Sequence, residues 1–255
     1  MFYTMEQKSS AEIDENTGLP KSEKPKVVIS LFFSLLFIFI IWIIKFFEVY
    51  TSVDLGTYGV YPREVSGLTG ILFSPLIHAD FSHLVSNTIT VFVLLFFLFY
   101  SYTKSSFRVL AIVYIGSGLA VWLTARPAYH IGASGLIYGF VSYFFFAGLL
   151  RRDTKSISLA LLVTFLYGGL IWGVLPTDPK VSFESHLSGA VIGLICALMF
   201  KNTDPLPKKY EWEDDEETDD SNNQYYSHPD DIDRDELDEE WHTDGEDDDE
   251  NWRSK

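Results

Sequence analysis

Two short runs place a weak nucleophile and a base where each can serve the other. One reads His130-Ile131-Gly132-Ala133-Ser134-Gly135-Leu136-Ile137-Tyr138, and the other reads Ser185-His186-Leu187-Ser188-Gly189 and continues Ala190-Val191-Ile192-Gly193. A serine hydroxyl becomes a useful nucleophile when an adjacent base takes its proton. His186 suits that task, and it can later return the proton to a leaving amine. No Asp or Glu lies deep inside an apolar run to complete a triad, and Glu184 sits at a loop edge. The economical reading is therefore a Ser134–His186 dyad. Tyr138 lies one turn beyond Ser134 on the same helical face, where its ring can pack against His186 and hold the imidazole.

A second cluster, His78-Ala79-Asp80-Phe81-Ser82-His83-Leu84-Val85-Ser86-Asn87, opens another apolar run. His83 and Asn87 are four residues apart and share a helical face. Both side chains can donate hydrogen bonds, which suits stabilisation of an oxyanion, and the backbone N–H of Ser134 near a helix N-terminus adds a further donor. Histidines 78, 83 and 186 invite a metal reading, but there is no His-Glu-x-x-His and no acidic ligand within a helix, so no metal site is expected. Paired membrane aspartates are absent too. A third use of His186, as the proton carrier of a small transporter, is a distant alternative.

These residues sit on apolar segments long enough to cross a bilayer. Val27–Ile44 is an 18-residue run without a charge and has the length of a spanning helix. Further stretches run over about 84–103, 109–125, 131–150, 157–176 and 183–200, with a long loop over 46–82 after the first. Six spans put Ser134 and His186, at the starts of the fourth and sixth, at one end of the bundle. Gly132 and Gly135 beside Ser134, and Gly189 and Gly193 on the sixth span, are small residues of the kind that let helix backbones approach in lipid.

Charge orients the spans. Lys21, Lys24 and Lys26 precede the first; Lys104 and Arg108 join the second to the third; Arg151, Arg152 and Lys155 join the fourth to the fifth; Lys201, Lys208 and Lys209 follow the sixth. The opposite loops hold Arg63, Arg126 and Lys180, with Lys45 at a helix end. The positive-inside rule puts both termini in the cytoplasm. From Thr203 to Lys255 there are 23 acidic and 5 basic residues, a net charge of −18, whereas the rest of the chain stands at +2. The expected organisation is a cytoplasmic N-terminal segment (1–26), a six-helix membrane domain (27–202) and an acidic disordered tail (203–255) that cannot bury a core. Cys196, alone in an apolar run, reads as a buried, inert thiol. No cleavable signal peptide is evident.

At these residues the chain resembles the rhomboid family of intramembrane serine proteases. Gly132-Ala133-Ser134-Gly135 with Tyr138 looks like the family's nucleophile motif. His186 with Gly189 and Gly193 is similar to its base motif, and His78, His83 and Asn87 match its His-x-x-x-x-His-x-x-x-Asn pattern. The likeness covers roughly residues 27–201. It implies an all-α membrane protein built as a six-transmembrane-helix rhomboid-like bundle, with a water-filled cavity open to the outer side. It further implies Ser134 as nucleophile, His186 as general base, and His83 and Asn87 at the oxyanion. Gly132, Gly135, Tyr138, His78, Gly189 and Gly193 support them. The reaction would be endopeptidase cleavage of single-pass transmembrane proteins near the membrane boundary, without a cofactor or nucleic acid. The setting would be the lipid bilayer, as a multi-pass protein of a bacterial inner membrane. The fifth span is the family's candidate for the helix that moves to admit substrate. One departure is the first long loop: it has no Trp, and its only Arg is Arg63, which leaves its anchoring open. A non-catalytic rhomboid-like protein that binds transmembrane helices is the alternative reading. The sequence leaves substrate and oligomeric state open.

Overall fold

The computed structural model describes residues 23–178 and 181–206. The N-terminal segment before Glu23 and almost all of the acidic tail lie outside the described residues. Among the described residues six helical spans are long and apolar enough to cross a bilayer, built on α1 (Lys24–Thr51), α2 (Phe81–Ser101), α3 (Ser106–Thr124), α4 (Ser134–Arg151), α5 (Thr154–Tyr167) and α6 (Phe183–Phe200). The α5 span is completed by a 3-10 segment, Gly168–Val174. The described residues contain no strand, only an isolated bridge between Val60 and His130. The chain is a multi-pass membrane protein, and its described residues are all-helical.

Local chemistry sets where the helices begin. Pro25 stands in the first turn of α1, where its missing N–H costs nothing. Asp80, Asp153 and Ser182 precede α2, α5 and α6, and each side chain accepts a backbone N–H of the first turn, from His83, Ser156 and Ser185.

The sequence reading ends the first span at Ile44, but α1 continues to Thr51. The reason is that Lys45 is satisfied by Glu48 of the same helix and by two loop carbonyls. Its ammonium lies 2.8 Å from Glu48 and donates to the carbonyls of His78 and Ala79 at 3.0 and 2.9 Å. A buried charge so paired does not interrupt a helix. The 28 residues give a rod of roughly 42 Å at 1.5 Å per residue, longer than a hydrocarbon core.

The fourth helix is the centre of the bundle: 61% of α4 is buried, against 17–39% of the other five. Its Phe140, Tyr143 and Phe144 pack with Leu94, Leu95 and Leu98 of α2, Val109 and Val113 of α3, and Cys196 and Ala197 of α6. Cys196 is thus a buried free thiol. The outer faces of α1 and α5 are apolar and uncovered, with Phe39 61% and Phe165 87% exposed. Such faces belong against lipid.

α4 and α6 approach through glycine. A Cβ at Gly189 would strike the carbonyl oxygen of Gly135, and one at Gly193 the carbonyl oxygen of Gly139. The close approach thus depends on Gly189 and Gly193, which meet the backbone at Gly135 and Gly139; a Cβ at Gly135 itself would come no nearer than 3.4 Å, to the Ser185 carbonyl oxygen.

The loop between α1 and α2 is a series of tight turns, Leu55–Tyr58, Val65–Leu68, Gly70–Phe73 and Ser74–Leu76. It is anchored without a tryptophan of its own. Arg63 N–H donates to the Trp122 carbonyl (3.0 Å), Arg63 Nη1 to the Ala125 carbonyl (2.9 Å), and the Trp122 indole to the Glu64 carbonyl (2.8 Å). Val60 and His130 exchange both backbone hydrogen bonds, and Gly132 N–H donates to Ser74 O (2.8 Å). The loop is thereby tied to the end of α3 and to the turn that leads into α4.

Candidate active site

Even-numbered helices all start at one end of the bundle, so α2, α4 and α6 deliver His83, Ser134 and His186 to the same level. A cavity of about 630 Å³ is lined there by His83, Asn87, Ser134, Tyr138, Ser182 and His186, among others.

Ser134 is the first residue of α4, three residues later than the run of apolar residues suggests. The delay comes from Gly132, whose φ of +108° suits glycine and breaks the helix. A Cβ at this position would also stand 2.6 Å from Cε1 of the His83 ring. Gly132 therefore lets the chain turn into α4 while the imidazole of His83 lies against its backbone. Because Ser134 opens the helix, its backbone N–H has no intrahelical acceptor and lies at the positive end of the dipole.

His186 is buried and held on two sides. The Tyr138 ring stacks on it at 4.1 Å with 7° between planes. Its Nδ1 lies 2.8 Å from the carbonyl oxygen of Gly173. A carbonyl only accepts, so Nδ1 carries the proton and Nε2 keeps its lone pair. The Tyr138 hydroxyl in turn donates to the Leu170 carbonyl at 2.6 Å. Both carbonyls belong to the 3-10 segment Gly168–Val174. The sequence reading takes α5 straight on to Pro176 and misses them. The signal available was the cluster Gly168, Gly169 and Gly173, which favours an altered helix ending. Gly173 also has a packing role, because a Cβ there would collide with the Tyr138 hydroxyl. Glu184 does not orient His186: its carboxylate faces Arg126 at 3.6 Å.

His83 and Asn87 both line the cavity. The Asn87 amide nitrogen is buried with no hydrogen-bond partner among the described residues. A buried donor left unpaired costs about 1–3 kcal/mol. His78 is buried against His83, ring centroids 5.1 Å apart, and its Nε2 accepts the Ala133 N–H at 3.4 Å. Burial first, and the neighbouring His83 second, push its pKa down to about 4. His78 thus stays neutral and holds the turn before Ser134. Among the described residues no group of three or more His, Cys, Asp or Glu is placed to hold a metal ion.

A family model for the Rhomboid domain matches residues 65–203, which carry every residue of this site. The chain belongs to the rhomboid family. Its similarity extends to an uncharacterized protein of Mycobacterium tuberculosis, 32% identical over 205 residues that cover 74% of this chain and 85% of the relative. An uncharacterized protein of Mycobacterium leprae is 33% identical over 174 residues, 65% of this chain and 69% of that protein. A protein of Acanthamoeba polyphaga mimivirus that bears the rhomboid name is 24% identical over 150 residues, 56% of this chain and 79% of that protein. In rhomboid terms, the Ser134 and His186 motifs stand on the fourth and sixth spans and the His83–Asn87 pattern opens the second.

Proposed function

We propose that this rhomboid-family protein is an intramembrane serine endopeptidase that cuts single-pass transmembrane proteins near the membrane boundary. The observation that carries the reading is the state of His186. Nδ1–H is spent on the Gly173 carbonyl, the ring is clamped by Tyr138, and His186, with Nε2 left unprotonated, lines the same cavity as Ser134. The backbone carbonyl takes the part that a carboxylate plays in a triad: it fixes the tautomer and the ring plane.

In this reading Ser134 Oγ attacks the scissile carbonyl while His186 Nε2 takes its proton. The oxyanion that forms is received by the unpaired Asn87 amide, by His83 and by the Ser134 N–H. His186 then protonates the leaving amine, and a water from the cavity repeats the sequence on the acyl-enzyme. The reaction needs no cofactor. The basic loops at the far end of the bundle (Lys104, Arg108, Arg151 and Arg152) favour a cytoplasmic placement there. That puts both termini inside, the 1–26 and 203–255 segments in the cytoplasm, and the cavity toward the outer face of a bacterial inner membrane. Substrate reaches the cavity when α5, with its glycine-rich end, moves aside.

The test is labelling with a serine-reactive fluorophosphonate in detergent. The protease reading predicts adduct at Ser134 that disappears in His186→Ala. An intact, well-folded protein that takes up no label at Ser134 points instead to a non-catalytic binder of transmembrane helices.

A further inference from the structure

Ser134 and His186 stand on different helices, and their separation depends on how the two helix starts are fixed to each other. His130 lies four residues before Ser134, and Ser182 lies four residues before His186. These two equivalent positions touch: His130 Nδ1 is 2.6 Å from Ser182 Oγ. The other ring nitrogen, Nε2, is 3.1 Å from the carbonyl oxygen of Arg126. A carbonyl can only accept, so Nε2 bears the proton, Nδ1 is the acceptor and the Ser182 hydroxyl donates to it. Ser182 has then spent its only proton. The Ser185 hydroxyl oxygen lies 2.8 Å from Ser182 Oγ, and Ser185 N–H donates to Ser182 Oγ at 3.2 Å.

The ring is well held for such a purpose. His130 is buried, and burial opposes its charging. Its backbone is paired with Val60 in both directions at 3.0 and 2.9 Å. A parallel strap joins the same two segments, with Arg126 Nε 3.6 Å from Glu184 and Nη2 donating to the Val181 carbonyl at 3.0 Å. The strap is half exposed on the arginine side, whereas the His130–Ser182 bond is the more enclosed of the two.

We propose that the His130–Ser182 hydrogen bond is a positioning clamp that sets the relative placement of Ser134 and His186 for catalysis. The proposal rests on the protease reading. His130 does not act on substrate; it acts through the two helix starts, so its loss lowers turnover more than it weakens substrate binding. A misplacement of reacting groups by about an ångström costs on the order of 100-fold in rate.

The experiment measures kcat and KM for cleavage of a fluorogenic transmembrane peptide in proteoliposomes, beside the thermal midpoint of each variant. His130→Ala and Ser182→Gly are each expected to lower kcat by on the order of 10- to 100-fold with KM little changed. Glycine is chosen because it caps a helix almost as well as serine, so that Ser182→Gly removes the clamp and spares the start of α6. Ser182→Thr keeps the hydroxyl and should recover most of the turnover. The double variant His130→Ala/Ser182→Gly should be no slower than the slower single. Unchanged kcat in both singles overturns the clamp, as does a loss that Ser182→Thr fails to recover. Wild-type cleavage that vanishes in Ser134→Ala secures the protease reading independently. A silent wild type defeats that reading, and the clamp with it.

Discussion

In the proposed protease His186 is a base that serves in one tautomer only, and a backbone carbonyl rather than an acid fixes that tautomer. The arrangement makes specific demands on single residues. Asn87→Ala removes the unpaired donor in the cavity and should lower kcat by about 10²–10³ with little change in thermal stability, measured by turnover beside a melting curve. Gly132→Ala forces a Cβ onto a positive φ and toward the His83 ring; turnover should fall, and stability should drop by roughly 1–3 kcal/mol. His78 gives a pH prediction. Its pKa is about 4 in the folded protein against an ordinary value of 6.5. The unfolded chain therefore binds the extra proton first as pH falls. Stability is fully present above about 6.5 and drains away between there and about 4, by up to roughly 3 kcal/mol. Thermal midpoints in detergent between pH 7 and 4 check this, and a midpoint that rises on acidification would contradict it. The polar residue types of the site were legible in the sequence because serine, histidine and asparagine are conspicuous in apolar surroundings. The Gly173 and Leu170 carbonyls were not, since any residue supplies a carbonyl and only the 3-10 ending of α5 aims them at His186 and Tyr138.

At the scale of elements, the glycine seam decides how close α4 and α6 can come. Gly189→Val drives a Cβ into the backbone at Gly135 and adds two methyl groups beyond it; it should destabilise the protein by about 1–3 kcal/mol or prevent folding, read by thermal melting or yield in detergent. The six spans were readable from apolar length alone. Their ends were less so, for reasons that differ from helix to helix. α1 overruns its apolar run because Glu48 and two loop carbonyls satisfy Lys45. α4 starts late because Gly132 takes a conformation that a helix excludes. Neither fact is written in hydropathy, since both depend on partners brought from elsewhere in the chain. The long loop shows the same limit: the absence of a tryptophan left its anchoring open, and the structure anchors it to the Trp122 indole and to backbone at the end of α3.

For the whole molecule, polar work is divided between the two ends. One end carries the cavity. At the other, Arg151 donates to the carbonyls of Lys201 and Asp204 at 2.8 and 3.2 Å, and the Asp204 carboxylate accepts from Lys104 N–H at 2.7 Å and from the Ser105 hydroxyl. Asp204 falls within the tail by composition, yet it is buried here and ties the end of α6 to the loop before α3. Sequence bias toward acid cannot distinguish this carboxylate from its many solvated neighbours. Whether the molecule is a protease is decided by reconstituting purified protein in liposomes with a single-pass transmembrane substrate and following cleavage by mass spectrometry. A single cut near one membrane boundary is expected, lost in both Ser134→Ala and His186→Ala, while the two variants keep the wild-type melting temperature. Cleavage that persists at the wild-type rate in folded Ser134→Ala protein would contradict the protease reading.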